Sequence, residues 1–273
     1  MNIGSLMRRI SSRLLQNNER DLSPYEKTED SRKFFLIEPS LLRSGKSIVQ
    51  GALNGDFVFS LLTVHVPLDL NSNVLDFGCG DGRVAGAFAR RNFSGRYYAF
   101  DINRKRIDAL QRLFKDDDRY SFTYMDVFHS YYNKEGSVKP EEYRLPYDNG
   151  QMDLVFLNSI FSHMKLEIIE HYLQEIIRCL SPKGKVWMTC YAIDERGARK
   201  RETWNYLFNT PYEKGFTNNI DDPERLVGYE TDMIEAVVGK TGLRIDKYIP
   251  GYWKAERKSL DQHEQDLFVL SKE

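Results

Sequence analysis

The sequence predicts an α/β fold, a mostly parallel sheet with helices on both faces. Three observations carry this. From residue 73 onward, short apolar runs alternate with segments of helical period. Runs such as NVLDF and MDLVFLN are apolar at nearly successive positions, as in parallel strands covered on both faces. The first run leads into VLDFGCGDGRVAG (74–86), where Gly78, Gly80 and Gly82 alternate with other residues. So much backbone freedom in so few residues suits a turn that closely approaches a ligand.

Residues 1–22 carry Ile3, Leu6, Met7, Ile10, Leu14 and Leu15 at helical spacing, with Arg8, Arg9 and Arg13 among them. Such a helix packs on its own domain or a partner chain, or lies as a peripheral element on a membrane surface. The polar stretch 17–33 reads as a loop. Residues 40–65 read as a helix, ended by Pro67 and the Asn-Ser-Asn at 71–73. Residues 1–70 therefore form an N-terminal helical extension, and 71–273 the α/β domain.

Within that domain, strands are expected at 73–77, 96–101, 120–127, 152–158, 184–192, 243–249 and 265–272. Helices are expected at 83–91, 104–114, 165–180 and 231–242. In 104–114, Ile107, Leu110, Leu113 and Phe114 share a face, and SPKG (181–184) supplies a Pro and Gly stop after the third helix. The last two strands follow one another without a helix, so they pair antiparallel at one edge. The segments near 128–150 and 193–230 exceed ordinary connections and read as insertions, either lids or loops.

Composition narrows the function. The chain has 39 basic and 40 acidic residues, so bulk charge favours neither nucleic acid nor an anionic membrane. Apolar residues make up 41%, enough for a substantial core. No apolar run approaches the roughly 20 residues of a membrane span. The longest, 57–68, contains His65 and Pro67. The first residues lack a signal-peptide pattern. Cys79, Cys179 and Cys190 form neither a disulfide framework nor a CxxC pair. A reduced, cytoplasmic protein is expected. No pair of histidines or cysteines has metal-ligand spacing, so no metal is expected.

The glycine loop excludes some ligands. A P-loop needs GxxxxGK[ST], which is absent. A dinucleotide fingerprint needs a third glycine where Arg83 stands. Asp76 would repel a pyrophosphate and attract an ammonium. Asp101, at the end of the second strand, can accept two hydrogen bonds from a ribose diol, and Asp126 can accept from an adenine amino group. Together these describe a site for adenosine joined to a positively charged amino acid.

The motifs LDFGCGDGR, YYAFDIN, YMDVF and DLVFLNSIFSHM, followed by EIIRCLSPKGKVWMTCY, occur in the order of a class I S-adenosylmethionine-dependent methyltransferase, which the chain resembles over most of 73–273. The Ser-x-Phe-x-His and Arg-x-Leu-x-Pro-x-Gly runs resemble the methyltransferases found in polysaccharide and sugar-modification clusters. The resemblance implies a Rossmann-like, seven-stranded sheet with an antiparallel edge strand, and S-adenosylmethionine as cofactor. It implies cofactor contacts from Asp76, Gly78, Gly80, Asp81, Gly82, Asp101, Ile102, Asp126, Val127, Asn158 and Ser159. It also implies O-methylation of a sugar, glycan or related small molecule. The alternatives are N- or C-methylation of another small metabolite and a non-catalytic cofactor-binding subunit.

His163 has two readings: a base or orienter for an acceptor hydroxyl, and a histidine that caps or packs at a helix start. The basic stretch 194–204 also contains three acids and reads as a solvated loop. Trp204, Tyr206, Phe208, Tyr212, Phe216 and the PGYW at 250–253 read either as an aromatic lid or as core cover.

Overall fold

The structure is a computed structural model and describes residues 34–42, 47–198, 208–255 and 262–273. The expected 1–22 helix, the 17–33 loop, Trp204 and Tyr206 lie outside the described residues.

The central sheet is built from β1 (Asn73–Phe77), β2 (Arg96–Asp101), β3 (Tyr120–Tyr124), β4 (Met152–Leu157), β5 (Leu180–Ile193), β9 (Leu243–Ile249) and β10 (Asp266–Lys272). Strands β3, β2, β1, β4 and β5 lie side by side in that order, all parallel. β10 then pairs antiparallel with β5, and β9 antiparallel with β10. The antiparallel strand is thus β10, one place in from the edge, and β9 closes the sheet.

Three short strands come from the 193–230 insertion: β6 (Thr210–Tyr212), β7 (Gly215–Thr217) and β8 (Val227–Glu230). β8 runs parallel to the last three residues of β5, Tyr191–Ile193, beyond Met188 where β4 makes its last pairing. The helix before SPKG ends at Cys179, as the Pro and Gly stop implies, but SPKG is not a break before the next strand. β5 runs through it, and the disturbance appears as a register shift between Met152 and Leu154 on the neighbouring strand. Pro and Gly are tolerated there because the ladder is already irregular.

Alternate side chains of the strands face opposite layers. Val74, Tyr97, Leu154, Phe156 and Trp187 face α1 (Ile48–His65), α2 (Arg83–Arg90) and α3 (Arg104–Leu113). Leu75, Phe77, Val155, Leu157 and Met188 face α4 (Leu166–Cys179) and α5 (Thr231–Lys240). The Ser47 hydroxyl caps α1 by accepting from Gln50 N–H at 3.2 Å, and Asn103 caps α3 by accepting from Arg106 N–H at 3.2 Å. The expected 40–65 helix is shorter: a 3-10 turn at Pro39–Leu41 precedes α1. Leu36, Ile37, Leu42 and α1 belong to the same apolar cluster as one face of the sheet. No helix among the described residues is long and apolar enough to cross a membrane.

The PGYW segment folds inward. Trp253 is 2% exposed and donates from Nε1 to Asp266 Oδ2 at 2.7 Å. Lys254 Nζ lies 2.9 Å from Asp266 Oδ1, and both side chains are buried. Phe208 is also fully buried. These aromatic residues cover core.

Candidate functional site

Strand order reverses at β1, which has β2 on one side and β4 on the other. In an open parallel sheet this leaves a crevice at the carboxyl ends of the strands. The glycine loop lies there. Gly78, Gly80 and Gly82 have φ of +80°, +57° and +73°, the left-handed region that side chains disfavour. The N–H groups of Gly78 and Cys79 both donate to Phe100 C=O at 3.0 Å, holding the loop against the end of β2. A side chain on Gly80 would meet nothing within 4 Å, so the loop leaves open space where a ligand can approach the backbone.

The cleft has a volume of about 560 Å3, within the range of small-molecule and cofactor sites. Of the expected cofactor residues, Asp76, Gly78, Gly80, Asp81, Asp101, Ile102, Val127, Asn158 and Ser159 line it. Gly82 lies just behind it, against Leu110. Asp126 is not among the lining residues. Its carboxylate accepts from the hydroxyls of Tyr124 and Ser137, while its neighbours Met125 and Val127 face the cleft. The two hydroxyls hold its carboxyl below the usual range.

Asp101 accepts from Gly80 N–H and Asn103 N–H, each at 2.8 Å. One carboxylate oxygen serves each bond, and lone pairs remain for a ligand. Burial raises the Asp101 pKa, and the two N–H bonds oppose that shift. Asp76 is 3% exposed and accepts from the Tyr97 hydroxyl at 2.6 Å. Burial is the largest influence and pushes its pKa up to about 7. Asp81 is buried with Arg83 Nε 3.7 Å away.

At the end of β4, Asn158 has a buried Oδ1 with no hydrogen-bond partner among the described residues. Ser159 has φ +59° and donates its N–H to Thr189 Oγ1 at 2.8 Å. A non-glycine residue held at positive φ is a local strain that the surrounding structure imposes. His163 ends the 3-10 turn Phe161–His163 and lines the cleft. It also lines a second, polar cavity of about 840 Å3.

Sequence reasoning gave His129 and Tyr132 no weight. His129 Nδ1 accepts from the N–H groups of Tyr131 and Tyr132, at 3.1 and 3.2 Å. Its proton is therefore on Nε2, which donates to His163 C=O at 2.8 Å. The Tyr132 hydroxyl lies 3.5 Å from His163 Nε2, with the rings edge to face at 5.1 Å. No local pattern signals this arrangement, because its partners are 31 and 34 residues apart.

The chain matches the family described as methyltransferase domain over residues 74–184. It is 24% identical over 117 residues to the protein-lysine N-methyltransferase EFM4 of Saccharomyces cerevisiae, covering 42% of this chain and 48% of that protein. The chain thus spans about half the length of this curated relative. The PH0226 protein from Pyrococcus horikoshii OT3 has the same fold, with a TM-score of 0.58 at 14% identity, covering 86% of this chain and 96% of that one. So does an S-adenosylmethionine-dependent methyltransferase from Clostridium acetobutylicum ATCC 824, with a TM-score of 0.51 at 10% identity, covering 80% and 90%.

The cleft fits the cofactor of that family on its own chemistry: open space over Gly80, a backbone-held carboxylate at Asp101, a second carboxylate at Asp76, and an unsatisfied amide oxygen at Asn158. Residues 74–184 match a methyltransferase domain, and the chain shares the fold of the solved S-adenosylmethionine-dependent methyltransferase.

Proposed function

We propose that the chain methylates a hydroxyl of a small molecule, namely a sugar, a glycan or a related metabolite. The observation that carries this reading is the position of His163, on the wall of the cofactor cleft and of the polar cavity beside it.

Bound S-adenosylmethionine supplies a methyl carbon that its sulfonium has already made electrophilic. The chain's part is to hold both partners, keep water out and accept one proton. Gly78, Gly80 and Gly82 let the backbone approach the amino-acid portion, with Asp76 and Asp81 facing its ammonium. Asp101 takes the ribose diol. Ile102 and Val127 offer apolar surface to the adenine, and Asn158 and Ser159 border the transfer site. His163 would take the acceptor's hydroxyl proton as the new O–CH3 bond forms and the methyl–sulfur bond breaks, its electron pair staying on the departing thioether sulfur. Tyr132, next to its Nε2, orients the imidazole.

A second reading, N-methylation of a protein lysine, has the match to EFM4 in its favour. A neutral amine needs no base in the transfer itself, so the two readings differ at His163. The test uses methyl-labelled S-adenosylmethionine with an extract separated into glycan, small-metabolite, RNA and protein fractions. Label is expected in the glycan or small-metabolite fraction. His163→Ala is expected to slow that transfer by roughly a hundredfold, the lower end for a general base, with cofactor affinity unchanged. Label confined to protein, or full turnover in His163→Ala, would overturn the hydroxyl reading.

A further inference from the structure

The cavity beyond His163 has a chemistry of its own. It meets the cofactor cleft at Arg83, Tyr132, Ser159 and His163, which line both. Its farther wall carries Asn218, Arg225 and Gln265. Gln265 is 5% exposed, and its Nε2 donates to Ser162 Oγ at 3.2 Å. Among the described residues its buried Oε1 has no hydrogen-bond partner, nor has the buried Oδ1 of Asn218. Buried amide oxygens left in this state carry a desolvation cost that a ligand's O–H or N–H would relieve.

Arg225 adds a charge. A guanidinium stays protonated at any working pH. Among the described residues that of Arg225 has no carboxylate within ion-pair distance, and it stands 5.8 Å from the centroid of the Tyr131 ring. Arg83, the second guanidinium on the lining, is 3.7 Å from Asp81. The one carboxylate among the described lining residues, Glu264, accepts from the Tyr191 hydroxyl at 3.3 Å. With Arg83 beside Asp81 and Glu264 engaged by Tyr191, Arg225 is the guanidinium on the described lining that is placed to take an anion. Tyr131 and Tyr132, 40% and 41% exposed and perpendicular at 4.7 Å, border it with ring surface.

We propose that this cavity is the acceptor subsite and that the acceptor is a polyhydroxylated molecule bearing an anionic group, a carboxylate or a phosphate. The proposal rests on the methyltransferase reading given above. Arg225 takes the anion, for which its planar fork is suited. Gln265 Oε1 and Asn218 Oδ1 accept from hydroxyls. The Tyr131 and Tyr132 rings cover the apolar faces between them, leaving one hydroxyl toward His163.

The test is binding to the full chain saturated with S-adenosylhomocysteine, the demethylated form of the cofactor. The probes are D-glucose, D-glucuronate and D-glucose 6-phosphate, titrated by calorimetry. At least one anionic sugar is expected to bind tenfold or more tighter than glucose. Which of the two does so distinguishes carboxylate from phosphate. Arg225→Gln is expected to reduce the anionic sugars to the level of glucose while S-adenosylhomocysteine affinity stays unchanged, which also reports an intact fold. Gln265→Met is expected to weaken all sugars alike. Equal binding of the three probes, binding by none, or an undiminished preference in Arg225→Gln would overturn the proposal. Failure of the wild-type chain to bind S-adenosylhomocysteine would instead be a failure of the methyltransferase reading, and the proposal would fall with it.

Discussion

Asp76 shows how one buried group links folding to binding. Burial raises its pKa from 3.8 to about 7, and the hydrogen bond from Tyr97 opposes that shift without cancelling it. A carboxyl whose folded pKa is raised contributes its full stability below the unfolded value. It loses that stability as pH rises through the folded value. For Asp76 the window runs from about 4 to about 7, and the unliganded chain should lose stability across it. A bound cation reverses the preference, because it favours the ionised carboxylate. Cofactor affinity should therefore rise with pH, by up to tenfold per unit, and level off above about 7. Asp76→Asn should flatten that profile. Equilibrium binding of S-adenosylmethionine from pH 5.5 to 8.5 checks both. An unchanged slope in the variant would mean that Asp76 does not meet the ligand's charge.

At the scale of elements, the site is held by contacts between loops. The imidazole of His129 joins the loop carrying Tyr131 and Tyr132 to the turn carrying His163. Tyr229 and Gln265 fasten the same turn, through Met164 C=O at 2.8 Å and Ser162 Oγ at 3.2 Å. His129→Phe removes an acceptor for two N–H groups and a donor for one C=O. We expect the acceptor KM to rise about tenfold, the equivalent of one net hydrogen bond, with cofactor affinity unchanged. His129→Gln retains an acceptor and a donor, so it should recover part of the loss. A rise in cofactor Kd as well would mean that the loop holds the whole cleft.

This clasp also marks where the sequence stopped being legible. Strands β1 and β2 lie where their apolar runs lie, because a parallel strand covered on both faces writes its burial into nearly consecutive residues. The glycine loop and Asp101 were legible because backbone freedom and a strand-end acid are local properties. The hairpin of β6 and β7 was not. Each strand is three residues long and follows no alternation a reader could separate from a loop. Nor could spacing reveal that Gln265 would meet Ser162 across 103 residues, or that Asp126 would turn to Ser137.

Across the whole molecule, α1 and the glycine loop form one mechanical unit. α1 lies against α2, and α2 begins at Arg83, directly after Gly82. The closest approach is at Gly55, where an added Cβ would stand 2.1 Å from Arg83 C=O oxygen and 2.7 Å from its carbon. These are backbone atoms, so no side chain can rotate aside. Two effects then compete in Gly55→Ala. Helix propensity favours alanine by about 1 kcal/mol. Overlap in a well-packed interface costs about 1–3 kcal/mol and here requires the helices to separate. The overlap should win, giving a net loss of about 1 kcal/mol or more in denaturant unfolding. Because the displaced atoms belong to the first residue of α2, the glycine loop must shift with them. S-adenosylmethionine affinity should therefore fall severalfold, although Gly55 is not among the residues lining the cleft. If the variant lost stability but bound the cofactor as the wild type does, α1 would be a cover for the sheet and not a support for the loop.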